Sequence, residues 1–384
     1  MTRPLTLTGG TLVTPDGTLS EGALTIVDDA IEAVSAPTRP PAVGTTVDVS
    51  GTYVLPGLVD IHGDDIERYL YPRPEERIPV ASALRQSERA ALAAGVTTKF
   101  HAVAFEDAPD ERRSVQHAAA LTDAIDGRRD AAIDTRVHAR CEVGEAAAVA
   151  AVVDLLAGDR AGLVSLMNHL PGEGQYTSAD GFSNRYETGT DGGLQDVIRS
   201  RATVAASTLA QRREAVVAAA DRADVPVASH DDEDAAAVEA AADDGVDICE
   251  FPLTMAAARR ASERGLTVAM GAPNLVRGGS LWENLDARAA LEAGLVDVFC
   301  SDFRPQTLLE VAFADTDEPI HRRVERVTHG PARAVGLTDR GRLEPGARAD
   351  VVVVDPDPTP TVTRVFVAGR EVYRFDTDER YSNN

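Results

Sequence analysis

Between residues 58 and 302, eight short apolar runs alternate with Ala-rich stretches of helical periodicity, and this alternation admits few folds. The runs are LVDIHGD (58–64), TTKFHAVAF (97–105), RVHARCEV (136–143), GLVSLMNHL (162–170), PVASHDD (226–232), DICEFP (247–252), TVAMGAPN (267–274) and VDVFCSD (296–302). Segments such as SALRQSERAALAAG and QRREAVVAAADRAD separate them. Strand–helix alternation predicts an α/β fold with parallel strands, and eight repeats predict a (β/α)8 TIM-like barrel. An open doubly wound sheet is the structural alternative.

The two ends of the chain have a different texture. LTLTGGTLVT, ALTIVDDAIEAVS and TTVDVSGTYVL near the start, and ADVVVVDPDP and TRVFVAGREVYR near the end, alternate like hairpin strands. We expect residues 1–55 plus 336–384 to form one small β-sandwich domain and residues 56–335 to form the barrel. The polar, Gly-rich stretch 171–193 has the length of a lid or binding loop. Cys141, Cys249 and Cys300 each fall in an apolar run and are expected as small buried hydrophobes rather than a disulfide framework.

Charge narrows the partners. The chain carries 62 acidic and 38 basic residues, a formal net charge of −24. Nucleic acid and anionic membranes are poor partners for such a surface. Lys99 is the single lysine; the other basic residues are arginine. An Asp-rich, lysine-poor composition resembles that of proteins from a high-salt cytoplasm, as in halophilic archaea. The N-terminal MTRPLTLTGGTLVTPDG lacks the apolar core of a signal peptide, so the expected location is the cytoplasm. A homo-oligomer is left open.

Chemistry-bearing residues gather at the ends of the predicted strands. His62 and Asp64 close the first, Glu142 the third, His169 the fourth, His230 the fifth and Asp302 the last. In a barrel these ends share one mouth, where active sites are found. Taken singly, each has an ordinary explanation: a hydrogen-bonded strand-end histidine, an Asp capping a helix, a Glu paired with Arg140. Together, six N/O ligands suit one or two divalent ions of the Zn, Mn, Fe, Co or Ni type. The i, i+2 spacing of His62 and Asp64 points them the same way. A bridging Glu142 could hold two ions about 3.5–4 Å apart, with Asp302 as the base that takes a proton from water.

PGLVDIHGD, the later His, His and Asp strand ends and the closing RGRLEPGARADVVVVDPD resemble the amidohydrolase superfamily. Within it, HGDDIER, RCEV, LVSLMNHLPGEGQY, ASHDD, EFPLTMAAAR, GAPNLVRGGS and CSDFRP resemble the PhnM family, the metal-dependent hydrolases of the carbon–phosphorus lyase pathway. The matching stretches cover most of residues 55–335. The resemblance implies hydrolysis of α-D-ribose 1-methylphosphonate 5-triphosphate to the 5-phosphate and pyrophosphate. It also implies metal-site roles for His62, Asp64, Glu142, His169, His230 and Asp302. Two features depart from the superfamily pattern: His-x-Asp replaces the usual His-x-His, and Glu142 stands where many members carry a carboxylated lysine.

Such a substrate is highly anionic, and arginine suits its phosphates. Arg277, with Asn274, Gly278 and Gly279 in GAPNLVRGGS, is expected near the phosphates, where backbone amides could also contact them. Arg304 and Arg140 are further candidates. Lys99 is read as a carboxylated bridge, a phosphate contact or a survivor of lysine depletion. Trp282 could stack on a base or ribose, or pack. His101 and His138 are expected in the core or behind the ligands. The competing functions are an amidohydrolase acting on a cyclic amide or N-acyl substrate, and a metal-free scaffold protein.

Overall fold

The computed structural model describes residues 3–36, 44–73, 75–108, 112–169, 200–281 and 283–376. The stretch 171–193 and Trp282 lie outside the described residues. Two sheets organise the rest.

The first sheet draws on both ends of the chain. Strands β1 (Leu5–Thr14), β2 (Gly17–Val27), β3 (Ala30–Ser35), β4 (Thr45–Asp48) and β5 (Tyr53–Pro56) come from the start; β14 (Val351–Asp355), β15 (Thr361–Val367) and β16 (Arg370–Arg374) come from the end. Their order is β16-β15-β14-β5-β1-β2-β3, with β4 paired to β1. The two halves join where β5 runs antiparallel to β14, Val54 opposite Val353. The small β-domain thus forms one continuous mixed sheet. Leu7, Leu24, Ile26, Ile31, Val353 and Phe366 are part of its buried core.

The second sheet is the barrel. Its strands are β6 (Leu58–Gly63), β7 (Val96–Phe105), β8 (Asp134–Glu142), β9 (Leu163–Met167), β10 (Val227–His230), β11 (Ile248–Glu250), β12 (Thr267–Gly271) and β13 (Val298–Cys300). They neighbour one another in sequence order, every pair parallel. All eight runs read from the sequence therefore form strands. Val59, Phe100, Leu163, Ile248, Ala269 and Val298 belong to one buried cluster that draws on strands all round the barrel.

The seam between β13 and β6 closes differently at its two ends. At the C-terminal end the Asp302 amide donates to the His62 carbonyl (2.9 Å) and the Asp64 amide to the Asp302 carbonyl (2.7 Å). Lower down, the backbone of residues 326–327 fills the gap. The Val59 amide donates to Val327 O (2.9 Å) and the Phe299 amide to Arg326 O (3.0 Å). Buried side chains reinforce the upper seam: Ser301 N and Oγ donate to the Asp60 carboxylate at 3.1 and 2.5 Å.

Strand β6 carries a bulge. Its register against β7 slips between Asp60 and Gly63, which oppose Lys99 and His101. The extra residue allows Ile61 to join the interior cluster while His62, next in sequence, also reaches the interior and its histidines.

Lys99 is fully buried and faces away from the mouth. Phe100 lies in the interior cluster, so Lys99, its neighbour on a pleated strand, points to the helices. Its Nζ donates to Asp65 Oδ1 (2.6 Å) and Ser87 Oγ (2.9 Å). Gly63 leaves room for the lysine stem: a Cβ there would stand 2.5 Å from Lys99 Cε. This geometry corrects the expectation of a bridge or a phosphate contact, because the amine is out of reach of any substrate.

Breaking this pair strands Asp65, which is 1% exposed. Lys99→Met should therefore cost about 3–5 kcal/mol of stability. A lowered denaturant midpoint, with activity per folded molecule largely kept, is the expected result.

Candidate metal centre

The C-terminal strand ends surround a cavity of about 370 Å³. His62, Asp64, Arg113, Arg140, His230 and Asp302 line its polar side; Phe251, Leu253, Met270, Leu281 and Phe303 line its apolar side. Alternation along the strands supplies the polar side. Arg140 and Glu142 share a face of β8, while Val137, Ala139 and Cys141 pack outward among the helices.

Among the described residues, three groups of candidate ligands have donor atoms within 4.8 Å of one another: His62, His138 and Glu250; His169, His230 and Asp231; Glu106, Glu142 and His169. His169 belongs to two of them. Its Nδ1 lies 3.2 Å from Glu142 Oε2 and 3.5 Å from Glu106 Oε2. The His169 and His230 rings are 6.3 Å apart, and those of His62 and His230 5.7 Å. His230 Nδ1 lies 3.0 Å from Asp231 Oδ2, while its Nε2 is buried with no hydrogen-bond partner among the described residues. A buried imidazole nitrogen left without a partner among the described residues, beside a cluster of carboxyl groups, is a donor set that fits a divalent cation.

Asp64 is held differently. Arg140 Nη1 donates to it at 2.6 Å and Arg113 Nη2 at 3.0 Å. Burial opposes its charge, but the two guanidiniums outweigh that and hold the carboxyl well below the usual range. Asp302 goes the other way: burial and then the charge of Asp64 push it up to about 7. Burial works against a charged His169, yet hydrogen bonds to Glu106 and Glu142 prevail and raise it to about 9.

Asp231, Phe251 and Asp302 stand just past the ends of β10, β11 and β13 with φ of 59°, 54° and 54°. Left-handed backbone at non-glycine residues is uncommon and clusters at functional sites. It turns the chain sharply and sets Asp231, Phe251 and Asp302 on the cavity wall.

The phosphate-side expectations divide. Arg277 lines the cavity and its Nη2 donates to Gly279 O at 2.6 Å. Asn274 also lines it, but its amide is committed to Leu285 O (2.9 Å) and the Ala287 amide (3.0 Å). TVAMGAPN is not strand to its end: β12 stops at Gly271 and a helix runs Ala272–Arg277, with Gly278 left-handed at its close. The Gly278 and Gly279 amides both donate to Asn274 O, which corrects their expected contact with phosphate. Arg304 points outward to Glu310 at 3.2 Å and is absent from the cavity wall. Cys141, Cys249 and Cys300 are buried and free, as their apolar runs suggested.

Sequence reading passed over Glu106, Asp231, Glu250, Arg113 and Arg201. Glu250 ends β11 as Glu142 ends β8, and Glu106 directly follows β7. Arg201 bonds Glu145 and lies 3.5 Å from both Glu106 and Glu142, but it comes from a helical stretch with no distinguishing pattern.

The profile of the amidohydrolase family matches residues 187–373. The α-D-ribose 1-methylphosphonate 5-triphosphate diphosphatase of Escherichia coli is 33% identical over 318 residues, 80% of this chain and 84% of that protein. Among solved structures, a putative prolidase from Bifidobacterium longum aligns with a TM-score of 0.64 at 18% identity, covering 97% of this chain and 95% of that one. A D-hydantoinase from a Bacillus species aligns with a TM-score of 0.64 at 14% identity, covering 96% and 95%. These two share the fold. No described helix is long and apolar enough to cross a membrane.

The His169 pairing has a pH signature in the protein stripped of metal. Its pKa is raised, so its contribution to stability is complete below the ordinary 6.5 and is lost as pH rises through about 9. A divalent ion must displace that proton, so affinity should climb about tenfold per pH unit toward pH 9 and then level off. Chelator-competition titrations across this range check it; a flat profile would show that the pairing does not form.

Proposed function

Because the chain belongs to the amidohydrolase superfamily, and within it groups with the Escherichia coli diphosphatase, we propose that it hydrolyses α-D-ribose 1-methylphosphonate 5-triphosphate to the 5-phosphate and pyrophosphate. The observation that carries this reading is His169, which joins Glu106 and Glu142 in one ligand group and His230 and Asp231 in another, with His230 and Asp302 on a cavity whose wall also presents Arg140 and Arg277. Members of the superfamily generally use divalent metal ions.

In this reading His169 and His230, with Glu142 against His169, would hold a divalent ion, and His62 and Asp302 line the cavity beside His230. When bound, such an ion supplies Lewis acidity to the phosphoryl oxygens. The protein's own groups do the rest. Asp302, with its acidity weakened to about 7, takes the proton of the attacking water. One P–O bond forms to that water, one phosphoanhydride P–O bond breaks, and pyrophosphate leaves. Asp64 keeps the Arg140 guanidinium fixed at the cavity wall at 2.6 Å. Arg277, exposed at the rim and hydrogen-bonded to its own loop, is positioned to take a terminal phosphate bidentately.

Pyrophosphate release from the ribose triphosphate, assayed in high salt with added Mn or Zn, tests the substrate. Turnover of dihydro-orotate or an N-acetyl sugar without pyrophosphate release would transfer the assignment to amide hydrolysis. Asp302→Asn should lower kcat by about 10²–10⁴ with metal content kept. Arg277→Ala should raise KM by about 10- to 100-fold and change kcat much less, the loss of a charge-assisted hydrogen bond. His169→Ala should weaken metal binding by more than about 100-fold.

A further inference from the structure

Glu250 ends β11 directly behind His62 and is fully buried. Its Oε1 accepts a hydrogen bond from His62 Nδ1 at 3.1 Å; its Oε2 has no hydrogen-bond partner among the described residues. The nearest candidate donor for Oε2 is His138, whose Nε2 lies 3.7 Å away. Both nitrogens of that ring are committed elsewhere. Its Nδ1 faces the Ile61 carbonyl at 3.0 Å, which can only accept, so Nδ1 carries the proton. Its Nε2 is then a lone pair and accepts the Ser165 hydroxyl at 2.7 Å. A neutral His138 has nothing left to donate.

A buried carboxylate served by one imidazole is poorly compensated as it stands. Positive charge on the far side of that imidazole would compensate it. His62 lines the cavity, and its Nε2 is on the side of the ring opposite Glu250. Phe251 and His138 meet the ring edge-to-face, each at 4.9 Å between centroids, and limit its rotation.

We propose that Glu250 is the positioning residue for His62: it holds the Nδ1 proton, fixes the tautomer and the ring plane, and presents Nε2 to a divalent ion at the barrel mouth. The inference rests on the metal-dependent reading above. Carboxylate–imidazole–metal arrangements of this kind raise the basicity of the ligand as well as orienting it. His138 and Ser165 form the floor beneath, neutral by their hydrogen-bond pattern, so the Glu250 charge is directed toward His62.

Cobalt(II) titration of the full chain, stripped of metal, tests this. Binding is read by chelator competition and by visible ligand-field absorption, in wild type, Glu250→Gln and Glu250→Leu. Glu250→Leu should weaken cobalt binding by about 10- to 100-fold and Glu250→Gln by about 10-fold, since glutamine keeps the acceptor and loses the charge. The ligand-field bands should shift in both variants, which a purely structural role would not produce. In a His62→Ala background Glu250→Gln should have no further effect on affinity. Unchanged affinity and bands in both variants would overturn the role of Glu250 and leave the hydrolase assignment standing. A wild type that binds no cobalt, zinc or manganese would overturn both. If the variants lose metal while wild type leaves the ribose triphosphate intact, the substrate assignment fails and Glu250 keeps its role. Should Glu250→Leu not fold, Glu250→Gln decides.

Discussion

The backbone hydrogen bonds between His62, Asp64 and Asp302 join the first barrel strand to the last, and the site's geometry follows from that join. Asp60 and Ser301, 241 positions apart in the chain, lock the same seam from the helix side. A parallel sheet twists, and only closure brings the ends of its outermost strands to one rim. Here closure is achieved by two backbone hydrogen bonds at the mouth and by a borrowed backbone segment, residues 326–327, lower down. Asp302 is consequently both the structural clasp and a residue of the cavity wall. Its left-handed backbone reconciles the two tasks.

Electrostatics at the mouth follows from unequal pairing of many acids with few cations. Asp64 is met by two guanidiniums and stays ionised; Asp302 is met by burial and by the charge of Asp64 and is driven toward the neutral form. Two carboxyl groups side by side thereby acquire different proton affinities, which is how one site can hold a fixed anion and a proton acceptor together. The same division separates His169, embedded between Glu106 and Glu142, from His62, whose burial keeps it neutral.

Much of this was legible in the sequence, for identifiable reasons. Barrel strands buried on both faces read as continuous apolar runs, and all eight stood out. Asp64, Glu142, His169, His230 and Asp302 were noticeable because a titratable residue closes an apolar run. Glu106 falls one residue past its apolar run and Glu250 is followed by Phe251 and Pro252, so neither visibly closes a run. Lys99 stays ambiguous in the sequence because a sequence alone does not say which strand face looks inward; the inward neighbour Phe100 settles it. The helix Ala272–Arg277 was hidden by glycines that suggested a loop, although Pro273 in its first turn and Gly278 after its end are the usual marks of a short helix. The bulge in β6 has no sequence signature.

The buried Lys99 has a consequence outside catalysis. Since it is the chain's single lysine and its Nζ is sealed between Asp65 and Ser87, the folded surface presents no side-chain amine. Amine-directed crosslinkers, dyes and acylating agents are thus confined to the α-amino group. The cationic character of the exterior comes wholly from guanidinium, which does not deprotonate under ordinary conditions. At alkaline pH such an exterior keeps its positive charges where a lysine-rich one would shed them.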